Sequence, residues 1–416
     1  MQKVPLFINK KEQIVTFLVG LCLFFISLGF EFYKFKNITT YSIYKDSFTV
    51  INYYEKISKK GKRYSIIKLK NSDFTFNGIF YKPLHVKRFD EVEAIIYTEN
   101  ITFKKYLKGF YVPLKALHVA KEYRKNRFLI YIENQHENVK AKELYKALFF
   151  ATPLNKELRE DIAKWGISHL VAISGFHFGL IGGILFLILK PFYTFFQDRF
   201  FPYRNKNADL AFLVLILLGI YGYMLGFSPS VLRAFVMSCI GYFMYVKHIK
   251  IISFTSLFLT AGAILILYPK LIFSIAFWFS ISGVFYLFLF LHYFGYLSKS
   301  LQFILINFWV FFCMLPVVHF VFDTFSWYQF ISPLISMLFV VFYPISLFLH
   351  VAGVGGVFDE WILKFLSLHV ETFSIVTPLW FLSVYVVLSL LAVKFRLIAF
   401  SLPFICFVYL VTFFSM

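Results

Sequence analysis

Acidic residues are scarce in this chain: 22 aspartates and glutamates face 42 lysines and arginines, giving a formal net charge of +20. Cysteine is scarcer still. The four present, Cys22, Cys239, Cys313 and Cys406, lie far apart in apolar runs and supply neither a disulfide framework nor a metal-ligand cluster. No phosphate-cradling loop of the G-x-x-x-x-G-K-[ST] type occurs, so any directional work needs an energy source from another chain. After the first apolar run, which ends GFEFYKF, there is no small-residue cleavage site, so the run is expected to be a retained anchor rather than a signal peptide.

What the chain has in excess is apolar surface. With 59% hydrophobic and 22% aromatic residues and a mean hydropathy of +0.71, a soluble globular domain is excluded and a polytopic α-helical membrane protein is expected. Most of the positive charge lies before Trp165 and belongs to a non-membrane region. Such a region suits polyanions, whether lipid headgroups or nucleic acid, or is an ordinary solvated surface.

In chain order, Lys3, Lys10 and Lys11 precede the apolar run Ile14 to Phe30, which is long enough to span a bilayer and puts the N-terminus in the cytoplasm. Residues 1–36 thus read as the membrane anchor. Over 37–118 the pattern turns to period-two alternation (SFTVINYYE, RYSIIKLK, FTFNGIFY, EVEAIIYT, FYVPLKALHV), broken by Lys60-Gly61-Lys62, Asn71-Ser72-Asp73 and Asn77-Gly78. Five short strands in about eighty residues suit a small extracytoplasmic β-barrel of OB-like type. Its lysines, tyrosines and phenylalanines either form a surface for single-stranded nucleic acid or serve as core and headgroup-facing rim. Residues 119–165 hold the basic stretch KEYRKNRF and two amphipathic connecting helices, NVKAKELYKALFF and NKELREDIAKW, separated at Thr152-Pro153.

Residues 166–416 form a multi-span domain that brings the expected total to about ten spans, counting the anchor. Lys190, Arg199, Arg204 and Lys206 mark one loop as cytoplasmic, Lys247 and Lys250 a second, and Lys299 a third. Lys394 and Arg396 break that alternation. They return to the cytoplasmic side if Ile331 to His350, or the amphipathic Trp361 to His369, is re-entrant or interfacial; the run VAGVGG at Val351 to Gly356 is too flexible to continue a helix.

Three places interrupt the apolar runs with residues a lipid anchor does not need. The stretch Gly166 to Leu189 carries His169, Ser174, Gly175 and His177; Ser174 and His177 share a helical face, and a break at Ser174-Gly175 is expected. The sequence YMLGFSPSVLRAFVM puts Pro229 at a helix start and Arg233 one turn inside, where a charge is either paired, facing water or snorkelling to the interface. Tyr268 to Phe290 holds Ser274, Ser280, Ser282 and Gly283, small polar residues of the kind that mediate helix packing.

The run HLVAISGFHFGLI resembles the hallmark of the ComEC family of competence proteins, inner-membrane channels for DNA taken up in natural transformation. GFSPSVLRAFVM is similar to that family's second signature, YPKLIFSIAFWFSISG to its third, and FSWYQFISPLISMLFVVFYP to a later serine-proline segment. The resemblance implies a channel for single-stranded DNA across the cytoplasmic membrane, with His169, Ser174, Gly175, His177, Pro229 and Arg233 as candidates for the translocation pathway. It implies partners too: single-stranded DNA, the lipid bilayer, a cytoplasmic motor or helicase and an external DNA-receptor protein. Larger members carry a C-terminal metallo-β-lactamase-like domain. This chain resembles a short form that ends at Met416 and has no H-x-H-x-D-H motif, so no catalytic residue, metal or cofactor is expected and strand degradation falls to another chain.

Two other readings stay open. Ser174 with His177 or His169 could serve an intramembrane serine hydrolase, although no third orienting group is evident. Alternatively the histidines are packed core donors in a small-anion transporter.

Overall fold

The computed structural model describes residues 9–57, 63–71, 74–81, 86, 89–121, 127–225, 227 and 229–415. The basic stretch at 121–128 and two of the expected turns fall largely outside the described residues. The chain divides into two compact units, one built from 9–127 with 262–274, the other from 128–261 with 275–416.

The first unit opens with α1 (Lys10–Thr39), followed by β1 (Ile43–Ile57), β2 (Arg63–Lys70), β3 (Thr75–Phe80), β4 (Glu91–Tyr97), α2 (Phe103–Lys108) and β5 (Tyr111–Lys121). Alternation sets the faces: along β4 Val92, Ala94 and Ile96 turn inward while Glu91 and Tyr97 are exposed. β1 pairs with β2 and β4, β2 with β3, and β4 with β5, all antiparallel; β3 and β5 pair in parallel, so the order β1–β2–β3–β5–β4 closes on itself. The parallel contact needs Gly78, because a Cβ there would come within 2.7 Å of Leu114.

The sheet's interior is filled by Phe48, Ile67, Leu69, Phe76 and Val92, with the Phe76 and Phe110 rings stacked at 5.5 Å. Ile38, near the C-terminal end of α1, is buried in the same cluster and Phe35 packs against it. The helix α1 and the β-domain therefore share one core. Glu31 of α1 accepts hydrogen bonds from Tyr106 Oη (2.9 Å) and Lys270 Nζ (2.9 Å), and Lys270 lies 4.3 Å from the Tyr106 ring centroid.

The second unit begins with α3 (Arg127–Glu133), α4 (Val139–Phe150) and α5 (Lys156–Lys164). Asn138 and Asn155 cap α4 and α5 by accepting from the backbone N–H of Lys140 and Leu158. Their apolar stripes, Leu144 and Leu148 on one and Leu158 and Ile162 on the other, are buried against Phe339, Tyr343 and Leu366. The connecting helices are thus part of a packed core.

There follow α6 (Ser168–Val171), α7 (Gly175–Phe200), α8 (Lys206–Met224), α9 (Pro229–Val246), α10 (Phe254–Leu267), α11 (Ile275–Phe294), α12 (Lys299–His319) and α13 (Ser332–Val351). A minimal hairpin of β6 (Thr324–Phe325) and β7 (Phe373–Ser374) brackets α13 and α14 (Asp359–Ser367), and α15 (Leu379–Leu391) and α16 (Arg396–Ser415) close the chain. Among the described residues six helical segments are long and apolar enough to cross a membrane: α1, α7, α8, α11, α12 and 327–351; four shorter apolar helices accompany them. The VAGVGG run ends α13. Gly353 takes a left-handed φ of +83° and Val354 N–H bonds back to the Leu349 carbonyl, the Schellman closure that glycine allows. A 3-10 turn at Gly355–Phe358 then leads into α14.

Candidate functional site

The hallmark stretch is a broken helix. α6 stops at Val171, Ala172 and Ser174 are extended, and α7 starts at Gly175. Ser174 is the N-cap of α7, and His177 at its third position closes a capping box: His177 Nδ1 lies 3.3 Å from the Ser174 backbone nitrogen and 3.2 Å from Ser174 Oγ. Because Nδ1 accepts the Ser174 N–H, the ring proton of a neutral His177 belongs on Nε2. That atom is buried with no hydrogen-bond partner among the described residues, and the ring meets Tyr343 edge-on at 5.0 Å and Phe339 at 5.5 Å.

His169 points elsewhere. It sits exposed on α6, with Nδ1 3.2 Å from the Gly166 carbonyl and Nε2 3.2 Å from Ser336 Oγ of α13. The Gly166 carbonyl also accepts from Ser332 Oγ at 3.1 Å. Gly166 itself is needed twice over: its φ is +68°, and a Cβ would lie 3.2 Å from the Gln329 side chain. Gly175 is exposed, and nothing lies within 4 Å of where its Cβ would be.

The second signature comes up against the first. Ile173 and Phe178, on either side of the capping box, pack with Val231 and Ala234 of α9. Pro229 starts α9, and Arg233 follows one turn later. Arg233 is only 7% exposed, and its Nε and Nη1 have no hydrogen-bond partner among the described residues. A buried guanidinium with no carboxylate paired to it among the described residues is costly, and packing alone does not account for it. The serines of the third signature lie on or next to α11, which packs with α12.

Of the expected site residues, then, Ser174 and His177 meet directly, Arg233 is held nearby through its chain neighbours, and His169 is tied to α13 instead. Ser336, Tyr343 and Phe339 are additional residues at this site. Serine and aromatic residues are ordinary in a long apolar helix, so nothing in the sequence alone singles them out.

The chemistry available here is limited in kind. Ser174 Oγ and His177 Nδ1 are within hydrogen-bond reach, but that nitrogen is already engaged by the Ser174 backbone, and no carboxylate orients the other side of the ring among the described residues. No group of three or more histidine, cysteine, aspartate or glutamate side chains among the described residues could hold a metal ion.

Comparison with known proteins adds the decisive finding. A family model described as "Competence protein" matches residues 151–416, well over half of the chain. The chain belongs to the competence protein family, of the ComEC/Rec2 type. It is also similar to Recombination protein 2 of Haemophilus influenzae, 32% identical over 160 residues, which cover 37% of this chain and 19% of that protein. No solved structure matches it at a significant level. The competence match takes in all six candidate residues together with α13 and α14.

Proposed function

We propose that this protein is a multi-pass channel of the cytoplasmic membrane that carries single-stranded DNA inward during natural transformation. The observation that carries the reading is Arg233: a buried cation beside the broken helix, two of whose guanidinium nitrogens have no hydrogen-bond partner among the described residues, in a chain of the competence family. A fixed positive charge in an apolar bundle suits a polyanion passing as phosphates, which would supply the missing counter-charge one after another. The N-terminus lies in the cytoplasm and the β-domain outside. There the closed five-stranded sheet acts as an OB-like barrel whose exposed Tyr53, Tyr54, Tyr81 and Tyr111 offer stacking faces to incoming bases. A cytoplasmic motor or helicase draws the strand in, and an external receptor protein delivers it.

The test is transformation by linear DNA in cells producing wild-type protein, Ser174→Ala, or the His169→Ala/His177→Ala pair, with membrane abundance measured for each. The channel reading expects near-normal uptake for Ser174→Ala and loss for the histidine pair. Loss in Ser174→Ala alone, at normal abundance, would favour the hydrolase that the 3.2 Å contact between Ser174 Oγ and His177 Nδ1 permits. Normal transformation in all variants would return the anion transporter to the front.

A further inference from the structure

One helix joins the broken helix to a second buried cluster that no signature contains. Along α13 the residues Ser332, Ser336, Phe339, Tyr343, Ser346 and His350 recur every three or four positions and form one inward seam, while Leu334, Leu338, Val341, Ile345 and Phe348 are exposed on the other face. The lower half of the seam holds the hallmark: Ser332 bonds the Gly166 carbonyl, Ser336 meets His169, and Phe339 and Tyr343 flank His177. The upper end, about 27 Å along the axis from Ser332 at 1.5 Å per residue, is His350.

His350 is the middle of a buried relay. Its Nδ1 lies 2.6 Å from the Ser346 carbonyl, its Nε2 3.0 Å from His136 Nε2, and His136 Nδ1 lies 2.8 Å from an Asp359 carboxylate oxygen. The His136 side chain is fully buried, and the Tyr145 ring stacks on it at 4.5 Å. Gln135 clasps the same corner by donating to the His350 carbonyl and accepting from Gly355 N–H.

Counting protons along this chain gives a definite result. The two ends, a carbonyl and a carboxylate, can only accept unless the carboxyl is itself protonated, and three hydrogen bonds connect them. Three bonds need three protons. Two neutral imidazoles beside an ionised Asp359 bring only two, which would leave two ring nitrogens facing each other at 3.0 Å with bare lone pairs or one end unbonded. With the third proton the cluster is fully paired and carries no net charge, the state that a buried site favours.

We propose that His136, His350 and Asp359 form a proton-binding site that holds one proton beyond the neutral rings, and that this site positions the broken helix through α13. A fourth proton would set two cations against each other across 3.0 Å; loss of the third would break the relay. Either change frees the upper end of the helix whose lower end grips His169 and flanks His177. Among the described residues the ionisable groups facing the pair are Asp359 of α14 and Tyr145 of α4; Lys146 of α4 is paired with Glu133 of α3. The proton site does not depend on the DNA reading; only its consequence for uptake does.

The test is ring-nitrogen NMR of the full-length protein in lipid nanodiscs with 15N-labelled histidine, signals being assigned with His136→Gln and His350→Gln. At pH 7 the pair should show three protonated ring nitrogens out of four, with the Nδ1 of each ring among them, or two with an Asp359 carboxyl signal in its protonated form. Asp359→Asn should remove the third proton and shift the His169 and His177 signals, Asp359→Glu should restore both, and Asp198→Asn, on α7, should move neither set. Two neutral rings beside an ionised Asp359 would overturn the proton site. An unchanged His169 and His177 in Asp359→Asn would overturn the positioning role. Failure of transformation to respond to any hallmark variant would count against the channel and leave these spectra as evidence.

Discussion

Ser336 Oγ of α13 stands 3.2 Å from His169 Nε2, across 167 residues of sequence, and fixes the direction of a histidine that would otherwise swing on a one-turn helix. A neutral hydrogen bond is worth about 1 kcal/mol, roughly fivefold in an equilibrium. Ser336→Ala and His169→Ala should each lower the stability of the detergent-purified protein, and the double variant should fall short of their sum by about that amount. Strict additivity in the melting data would remove this contact from the account.

Arg233 gives an opposite pairing of stability and function. Replacing a whole buried ion pair by apolar side chains is commonly neutral or stabilising by about 1–4 kcal/mol, and a charge without a counter-ion has no pairing energy to lose. Arg233→Met should therefore reach the membrane at normal abundance, melt no lower than wild type, and transform at least about tenfold less well, the equivalent of about 1.4 kcal/mol. Arg233→Glu should lose transformation altogether. A Met variant that transforms normally would show that the charge serves no passing anion.

Gly355 has no room for a side chain. A Cβ there would fall 2.5 Å from His350 Cδ2 and 2.6 Å from Gln135 Oε1. Gly355→Ala should destabilise the protein by about 1–3 kcal/mol, the usual range for overpacking, whereas Gly175→Ala, where the same addition meets open space, should be near neutral. Thermal melts of the two variants side by side decide the matter.

Asp161 on α5 provides a pH test outside the spans. Burial pushes its carboxyl up, but hydrogen bonds from Lys164 at 3.1 Å and Lys140 at 3.2 Å outweigh that and hold it below the ordinary aspartate value. A lowered folded value means the stabilisation is complete above the unfolded value of about 3.9 and is lost as pH falls through the folded one. Because both lysines are partly exposed, the effect is modest, about 0.5–1 kcal/mol. Asp161→Asn should flatten the acid limb of the stability curve and leave the region above pH 6 lowered by a constant amount.

Much of this architecture could be read from the chain. The strands announced themselves because a half-buried strand must alternate, and the break at Ser174-Gly175 because glycine tolerates backbone conformations that other residues resist. Ser174 and His177 were expected to share a helical face; they meet instead as cap and third residue of a new helix, a relation of the same spacing but different geometry. The six-residue α2 between β4 and β5 gave too short a pattern to register. Ser336, Ser346 and His350 stayed hidden for another reason. In a helix apolar on every side, hydropathy does not tell the inward face from the outward one, and the partners that define it lie more than 160 positions upstream. Only packing reveals which serine is a contact and which is filler.

That distance has a consequence for the order in which the molecule is made. The hallmark emerges from the ribosome near residue 170, but Ser332 and Ser336, which grip it, and His350 and Asp359, which anchor their helix, come more than 160 residues later. Until then α6 packs on α4 and α5 without α13, and His177 faces neither of its aromatic neighbours. The broken helix is laid down early and its contacts are completed late.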